Sequence, residues 1–257
     1  MHIYDYTDRD NPILSDQDSY SAIKGDSNLY PSVTSINKYI PNDFINDIWL
    51  PQKTVELKEK NPHMNWLDIR QHLWGFVSLP ANENDPHTEV VPSSEFGTMA
   101  HEALENLIRR DIFMDKSAEV EERWENFVKP TFKQIKKLSL TPVYVEKLVC
   151  CHKMRVAGRI DLIARDEKTN KYVLLDYKFR KPAKTISPRD SDAAQLAIEA
   201  EMFANDEGLG YIPKICTVVV DNVSGKPKFI WYTDKKADWA RRIFKITRDL
   251  VFLYKKL

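Results

Sequence analysis

The chain has 257 residues, of which 42% are hydrophobic and 30% charged, so it is long enough to bury a substantial core. Lysine plus arginine and aspartate plus glutamate number 38 each, which gives a formal net charge of zero. A neutral total does not exclude a nucleic-acid partner, because the local field depends on how the charges are distributed.

Cysteine usage and the N-terminal residues bear on the compartment. The three cysteines, two of them adjacent at Cys150 and Cys151, exclude a disulfide framework and predict a reducing compartment. No apolar run approaches the length of a membrane span, and the acidic first ten residues lack a targeting pattern. We therefore expect a soluble intracellular protein, cytoplasmic or in another reducing compartment, without a membrane partner.

Two regions differ in regularity along the chain. Residues 1–90 mix prolines, aspartates and tryptophans with short helical patterns, which predicts a partly irregular, helical N-terminal elaboration. Residues 91–257 form a regular series that predicts a core domain. A helix capped by Ser93 or Ser94 comes first, and its apolar residues recur at helical spacing. A second helix is expected over residues 118–138.

The rest of the core alternates strands and helices. Strands are predicted near residues 143–151, 155–164 and 172–178, joined by short turns and therefore antiparallel. A helix over 193–204, strands near 215–220 and 228–232, and a helix over 237–254 complete the series. This order predicts an α/β fold with a mixed sheet flanked by helices. The apolar positions of the last helix are expected to pack on the core: Trp239, Ile243, Ile246, Leu250 and Leu253.

Charged residues interrupt two of the apolar strands. Asp161 lies in the second strand, and Asp176 and Lys178 lie in the third. Because strand side chains alternate, Asp176 and Lys178 share a face, and Asp161 can meet Asp176 if the strands pair. Buried charges are costly unless they are paired or bound to a metal, and carboxylates are the ligands of hard divalent cations. The pattern indicates a metal-assisted hydrolysis site, with a structural salt bridge as the alternative.

Two further polar residues gain meaning from this site. His101 lies on the first helix, four residues before Glu105, and a histidine there is more often structural than ligating. Gln195 stands among alanines near the start of the helix that follows the third strand. Neither residue is informative alone.

Together these segments resemble a known family. The ordered set comprises residues 97–105 (Gly-Thr-Met-Ala-His-Glu-Ala-Leu-Glu), Glu146, residues 158–161 (Gly-Arg-Ile-Asp), residues 175–178 (Leu-Asp-Tyr-Lys) and Gln195. It resembles the RecB-type branch of the PD-(D/E)XK nuclease superfamily and, within that branch, the mitochondrial genome maintenance exonucleases. Residues 30–34 (Tyr-Pro-Ser-Val-Thr) resemble the opening motif of those exonucleases.

The resemblance implies a role for each matching position. The metal ligands would be His101, Asp161, Asp176 and the backbone carbonyl of Tyr177, and the metal would be Mg²⁺ or Mn²⁺. Lys178 would hold the attacking water and stabilise charge on the phosphate. The remaining implied residues lie around that centre: Glu146 as an acid beside the metal, Gln195 as a residue that positions DNA or the lysine, and Ser32 and Thr34 as substrate contacts of the opening motif.

The chain departs from the family pattern at several positions. Glu199 stands where the glutamine motif of the family ends in tyrosine, and Phe179 stands where relatives carry threonine or serine. Relatives with an iron–sulfur cluster have four cysteines, so three cysteines predict no cluster here. We interpret the cysteines as small buried apolar residues.

Basic residues follow the third strand directly. Arg180, Lys181 and Lys184, next to Phe179, suit a phosphate backbone close to the active centre, although a solvated loop is the alternative.

The leading functional hypothesis is a metal-dependent exonuclease acting on single-stranded DNA with free ends, in replication, repair or recombination. A structure-specific flap endonuclease and a catalytically silent DNA-binding protein are the alternatives. Because the sequence lacks a Gly-Lys-Ser/Thr phosphate loop, any motor activity would come from a helicase or another replication or recombination partner.

Overall fold

The computed structural model describes residues 3–5, 13–15, 28–37, 40, 62–63, 93–180 and 189–255. In chain order the elements are β1 (Ile3–Asp5), β2 (Ile13–Leu14), β3 (Leu29–Pro31), α1 (Val33–Asn37), α2 (Ser93–Ile112), α3 (Glu122–Lys137), β4 (Leu140–Cys151), β5 (Val156–Asp166), β6 (Lys171–Arg180), α4 (Asp190–Asp206), β7 (Lys214–Asp221), β8 (Pro227–Trp231) and α5 (Asp234–Lys255). Within the core region this is the predicted series. Helix α3 begins four residues later than expected, and α4 begins at Asp190.

The five long strands form one mixed sheet in the order β4-β5-β6-β7-β8. Strands β4, β5 and β6 pair antiparallel through short turns, as predicted, and β6 pairs with β7 in parallel. A parallel pair needs a crossover connection, and helix α4 supplies it. The predicted mixed sheet flanked by helices is confirmed.

Helices cover both faces of this sheet. Helices α2 and α3 pack on one face, over buried residues such as Leu162, Leu175 and Val218. Helices α1, α4 and α5 pack on the other face, over Ile163, Leu174 and Ile215. Strand side chains alternate between the faces, so a run such as Val173–Leu175 supplies both cores.

The last helix packs on the core with a different face from the one predicted. Trp239, Ile246, Leu250 and Leu253 are exposed, and Ile243 is only partly buried. The buried positions are small or aromatic instead: Ala237, Ala240, Phe244, Val251 and Phe252. Helix α4, against which α5 packs, is rich in buried alanines. The small alanine side chains let the two helices approach closely. Close packing against α4 therefore selected the buried face of α5, and this is not the face that hydrophobicity predicted.

The described part of the N-terminal region contains three short strands and one short helix. Strands β2, β1 and β3 form a small antiparallel sheet, and Ser32 bridges to Ala157 in β5. Val33 and Ile36 of α1 are fully buried in the same core as α4. These residues do not show the predicted helical elaboration. The predicted domain boundary at residue 90 lies outside the described residues and stays a prediction.

A fork between two strands positions the site. Pairing of β5 with β6 runs from Asp166 and Lys171 to Leu162 and Leu175. Past that point β5 continues along β4 as far as Val156, while β6 continues along β7 to its end. The two strands therefore separate directly after the Leu162–Leu175 pair, and Asp161 and Asp176 are the first residues beyond it.

The cysteines differ in burial from the expectation. Cys216 is fully buried, whereas Cys150 and Cys151 are only partly buried on β4. The interpretation of the cysteines as small buried residues is therefore confirmed for Cys216 alone. Cys150 and Cys151 are more exposed because β4 is an edge strand of the sheet. Among the described helices, none combines the length and the apolar character needed to cross a membrane.

Candidate metal and nuclease site

The fork opens into a cleft of about 540 Å³ that is lined from both faces of the sheet. Its described lining consists of Thr34, Gly97, Thr98, His101, Glu102, Glu105, Glu146, Arg159, Asp161, Asp176, Lys178 and Gln195. Seven of the predicted site residues lie in this set: Thr34, His101, Glu146, Asp161, Asp176, Lys178 and Gln195. Residues up to 161 positions apart in the sequence, Thr34 and Gln195, therefore line the same cleft.

One wall of the cleft carries a compact group of possible metal ligands. Ligand atoms of His101, Glu146 and Asp161 all lie within 4.8 Å of one another, and each side chain is partly buried. His101 is presented by α2, Glu146 by β4 and Asp161 by β5. Glu146 has a φ of 53°, which is uncommon for a residue other than glycine, and it lies opposite Asp161 in the register of β4 with β5. The strained backbone occurs at the site, where such strain concentrates.

Tyr177 links this group to strand β6 through its backbone. Its amide donates a hydrogen bond of 2.7 Å to Oδ2 of Asp161. Its carbonyl oxygen accepts a hydrogen bond of 2.8 Å from Nε2 of His101, whose Nδ1 lies 3.7 Å from Oδ2 of Asp161. The Tyr177 side chain is buried and packs edge-on against the His101 ring, as does Phe179. The backbone of β6 thus fixes two of the predicted ligands.

The opposite wall carries the acid–lysine pair of β6. Oδ1 of Asp176 accepts a hydrogen bond of 2.6 Å from Nζ of Lys178 and one of 3.2 Å from Nε2 of Gln195 on α4. Asp176 is buried, while a quarter of the Lys178 side chain is exposed to the cleft. Asp161 therefore faces α2 and Asp176 faces α4, so the two aspartates flank the fork from opposite faces.

Burial removes the carboxylates of the site from water. Burial, with the nearby Asp161 and Glu105 carboxylates, raises the pKa of Glu146 to about 7. Burial also raises the pKa of Asp176 to about 6, against the lowering effect of the Lys178 ammonium. Burial alone would lower the pKa of Lys178, but the carboxylates of Asp176 and Asp161 raise it overall and keep the side chain charged.

These residues fit a divalent cation. Oδ2 of Asp176 is buried and has no hydrogen-bond partner in the described part of the chain, so one carboxylate oxygen is left for a ligand. The available donors are carboxylate oxygens, one backbone carbonyl and one imidazole, which suits Mg²⁺ or Mn²⁺ better than a thiolate-seeking metal. Holding that cation would fall to His101, Asp161, Asp176, Glu146 and the Tyr177 carbonyl.

Glu199 lies one helical turn after Gln195 and is buried against β5. Its Oε1 accepts a long hydrogen bond of 3.4 Å from Nε2 of Gln195. A Cβ atom at Gly158 would lie 2.9 Å from this oxygen, so the glycine of the Gly-Arg-Ile-Asp segment is needed for close packing. Burial raises the pKa of Glu199 well above its ordinary value, and the Asp176 and Asp161 carboxylates add to the effect. Burial therefore favours the protonated form of Glu199, which contacts Gln195.

The predicted substrate contacts have different positions. Thr34 lines the cleft, whereas Ser32 is buried and its hydroxyl accepts a hydrogen bond from the Ser35 amide at the start of α1. Arg180 points to α4, where it pairs with buried Asp192 at 2.7 Å. Lys181 and Lys184 lie outside the described residues. These assignments stay predictions.

Two features of the site were missed by sequence reasoning. Glu146 was expected beside the metal, but its carboxylate belongs to the same close group as His101 and Asp161. Arg159 was given no role, yet it lines the cleft and pairs with Glu146. The only sequence signal for Arg159 is its place two residues before Asp161, on the same side of the strand.

Comparisons with known proteins bear on this site. The model of the PD-(D/E)XK nuclease superfamily matches residues 76–220. No curated protein sequence matches the chain. A solved structure of a candidate exonuclease from Eubacterium rectale is 9% identical, with 94% of this chain and 88% of that chain covered and a TM-score of 0.47. The structure of the protein SSO0001 is 14% identical over 59% of this chain and 74% of its own, with a TM-score of 0.26.

The matched segment includes α2, β4, β5, β6, α4 and β7, which together supply every described wall of the cleft except Thr34. The finer resemblance to mitochondrial genome maintenance exonucleases is not confirmed by these comparisons. Because the family model covers more than half of the chain, we conclude that the chain belongs to the PD-(D/E)XK nuclease superfamily.

Proposed function

We propose that the protein is a metal-dependent deoxyribonuclease that degrades single-stranded DNA from free ends. The observation that carries the proposal is the two-walled cleft, in which the Asp176–Lys178 pair faces the His101, Glu146 and Asp161 group. A Mg²⁺ or Mn²⁺ ion, when bound, supplies positive charge for the phosphate and lowers the pKa of water.

The protein residues orient the reactants. Lys178 stays protonated beside Asp176 and can hold a water through its remaining N–H groups, and its charge stabilises the phosphate as negative charge accumulates. Gln195 donates a hydrogen bond to Oδ1 of Asp176, which leaves Oδ2 available for a ligand. Thr34, at the rim of the cleft, can contact the sugar–phosphate backbone.

The basic segment after β6 is proposed as a further DNA contact through Lys181 and Lys184. Arg180 is included as a DNA contact of the same segment. To bind a phosphate it would have to leave its ion pair with Asp192. A protein partner with motor activity and a role in replication, repair or recombination belong to the same proposal, as does a reducing compartment.

The test uses end-labelled linear and circular single-stranded DNA, with Mg²⁺, with Mn²⁺ and with a chelator. We expect metal-dependent loss of the linear strand while the circle survives. Cleavage of the circle would contradict the exonuclease and favour the structure-specific endonuclease, which duplex DNA with a flap would then test. Binding without cleavage under either metal would instead favour a silent DNA-binding protein, despite the intact His101, Asp161, Asp176 and Lys178.

A further inference from the structure

We propose that Arg159 binds a phosphate of the DNA backbone inside the cleft, as a second cation beside Lys178. The proposal rests on the proposed nuclease function and adds a substrate-binding residue to it. Three observations carry it: the charge balance of the cleft, the loose engagement of the Arg159 guanidinium, and the register of the two forked strands.

The cleft is acidic, although its proposed substrate is a polyanion. Its described lining includes five carboxylates, at Glu102, Glu105, Glu146, Asp161 and Asp176. The cations in the same lining are Arg159 and Lys178. Lys178 lies within 2.6 Å of Asp176, and three-quarters of its side chain is buried. Arg159 is therefore the cation that is better placed to meet a non-bridging phosphate oxygen.

The guanidinium of Arg159 uses only some of its hydrogen-bond donors within the part of the chain that the structure describes. Its side chain is 43% exposed, and Nη1 lies 3.3 Å from Oε2 of Glu146, longer than a strong charge-assisted hydrogen bond. The guanidinium also interacts with the hydroxyl of Tyr4, which is buried in β1. A guanidinium carries five N–H donors, and its planar fork matches the geometry of a phosphate. Tyr4 and Glu146 thus orient the group while leaving donors for a ligand.

The strand register places both cations at the same level of the fork. The last pair of β5 with β6 is Leu162 with Leu175. If this register were continued by three residues, Arg159 would be opposite Lys178, one on each diverging strand. Arg159 precedes Asp161 by two positions on β5, and Lys178 follows Asp176 by two on β6, so each strand presents an acid and then a cation toward the open end. A phosphate entering the fork would pass between the two cations.

The N-terminal sheet acquires a role from this arrangement. Tyr4 belongs to β1, which pairs with β3, and Ser32 immediately after β3 bridges to Ala157 of β5. Tyr4 is a positioning residue, because it interacts with Arg159 and is not among the described residues that line the cleft. Removal of its hydroxyl should reduce DNA affinity less than removal of the guanidinium.

The test compares Arg159→Ala with Arg165→Ala, a matched control at the far, paired end of β5, where Arg165 is exposed and stacks on Tyr172. Binding of single-stranded DNA is measured by fluorescence anisotropy in chelator over a range of salt, and kcat and KM are measured with Mg²⁺. For Arg159→Ala we expect affinity to fall by about tenfold to a hundredfold, and the salt slope to decrease by about one counterion. The DNA affinity of Arg159→Lys should lie between those of the wild type and Arg159→Ala, because lysine keeps the positive charge but lacks the planar guanidinium.

Three outcomes would overturn the proposal. Equal affinity and KM for Arg159→Ala and Arg165→Ala would remove Arg159 from the substrate site while the nuclease assignment stands. A higher Mg²⁺ requirement with unchanged DNA affinity in chelator would show that Arg159 serves only Glu146. Wild-type protein that neither binds nor cleaves DNA would reject the proposed function itself. If the alanine variant does not fold, Arg159→Gln gives the same comparison, since it keeps polar bulk without charge.

Discussion

The two halves of the β5–β6 hairpin have opposite chemistry. In the paired half, residues such as Leu162, Ile163 and Leu174 are fully buried, and they connect the two hydrophobic cores of the sheet. In the forked half the same strands carry Arg159, Asp161, Asp176 and Lys178 around a cleft. The charges that line the cleft appear in these strands only beyond the Leu162–Leu175 pair, whereas the charged residues of the paired half, Arg165, Asp166 and Lys171, lie at its far end.

The difference shows how one hairpin can stabilise the fold and also present a reactive site. A buried carboxylate without ligands is costly, and Asp176 keeps an oxygen without a described partner. The paired half offsets this cost by burying apolar surface, at roughly 25 cal/mol per Å². We therefore expect substitutions in the forked half to alter activity and substitutions in the paired half to alter stability.

The largest expected effect is loss of cleavage in Lys178→Ala. Removing the ammonium takes away both the water contact and the positive charge near the phosphate, so kcat should fall by about a hundredfold to ten-thousandfold. Lys171→Ala, at the exposed, paired end of β6, is the control and should keep wild-type turnover. Equal turnover rates for the two variants would contradict the proposal that the forked half carries the activity and the paired half the stability.

The converse substitution is Leu174→Ala in the paired half. Leu174 is fully buried between β5, β7 and α4, so truncation should lower the free energy of unfolding by about 2–5 kcal/mol. Urea unfolding followed by circular dichroism measures this loss. Turnover per folded molecule should stay close to wild type below the transition, and a large drop in kcat would show that the halves are not separable.

A smaller change in stability is expected at the start of the fork, in Gly158→Ala. The new Cβ would lie 2.9 Å from Oε1 of Glu199 and 3.3 Å from Val33, so overpacking should cost about 1–3 kcal/mol. Gly97→Ala is the control, because a Cβ there meets nothing within 4 Å. Adding Glu199→Ala to Gly158→Ala should recover part of the loss, and strictly additive free energies would contradict the contact.

The smallest expected effect is a change in the pH dependence of the free energy of unfolding in Glu199→Gln. Burial raises the pKa of Glu199 above 4.5, so above that pH the folded protein keeps a proton that the unfolded chain releases. Raising the pH therefore favours unfolding of the wild type, by up to about 1.4 kcal/mol per pH unit until the folded pKa is reached. The groups facing Glu199 are Asp176, Asp161, Lys178 and Gln195.

Glutamine does not titrate, so the stability gain of Glu199→Gln over wild type should grow by about 1 kcal/mol between pH 5 and pH 6. Chemical unfolding at both pH values measures the difference. A gain independent of pH would mean that Glu199 is ionised in the folded protein and that it does not act as a neutral support for Gln195.

Local patterns were sufficient to predict the elements of the core. Helix α2, the antiparallel strands β4 to β6 and helix α4 follow from periodicity, turn residues and capping, which are properties of neighbouring residues. The contacts of α5 were predicted wrongly, because hydrophobicity marked Leu250 and Leu253 while the alanine-rich surface of α4 selected the face with Ala240 and Phe244. The strands of the N-terminal region are too short to carry a periodic signal.

The sequence by itself determined the mixed α/β core, the family and the order of the acids and the lysine along the chain, because these depend on residue type and short-range spacing. Only the tertiary structure decided that β5 and β6 separate at Asp161 and Asp176, that Glu146 joins His101 and Asp161, and that Arg159 lines the cleft. Those features depend on strand register and on contacts between residues far apart in sequence, which no local pattern encodes.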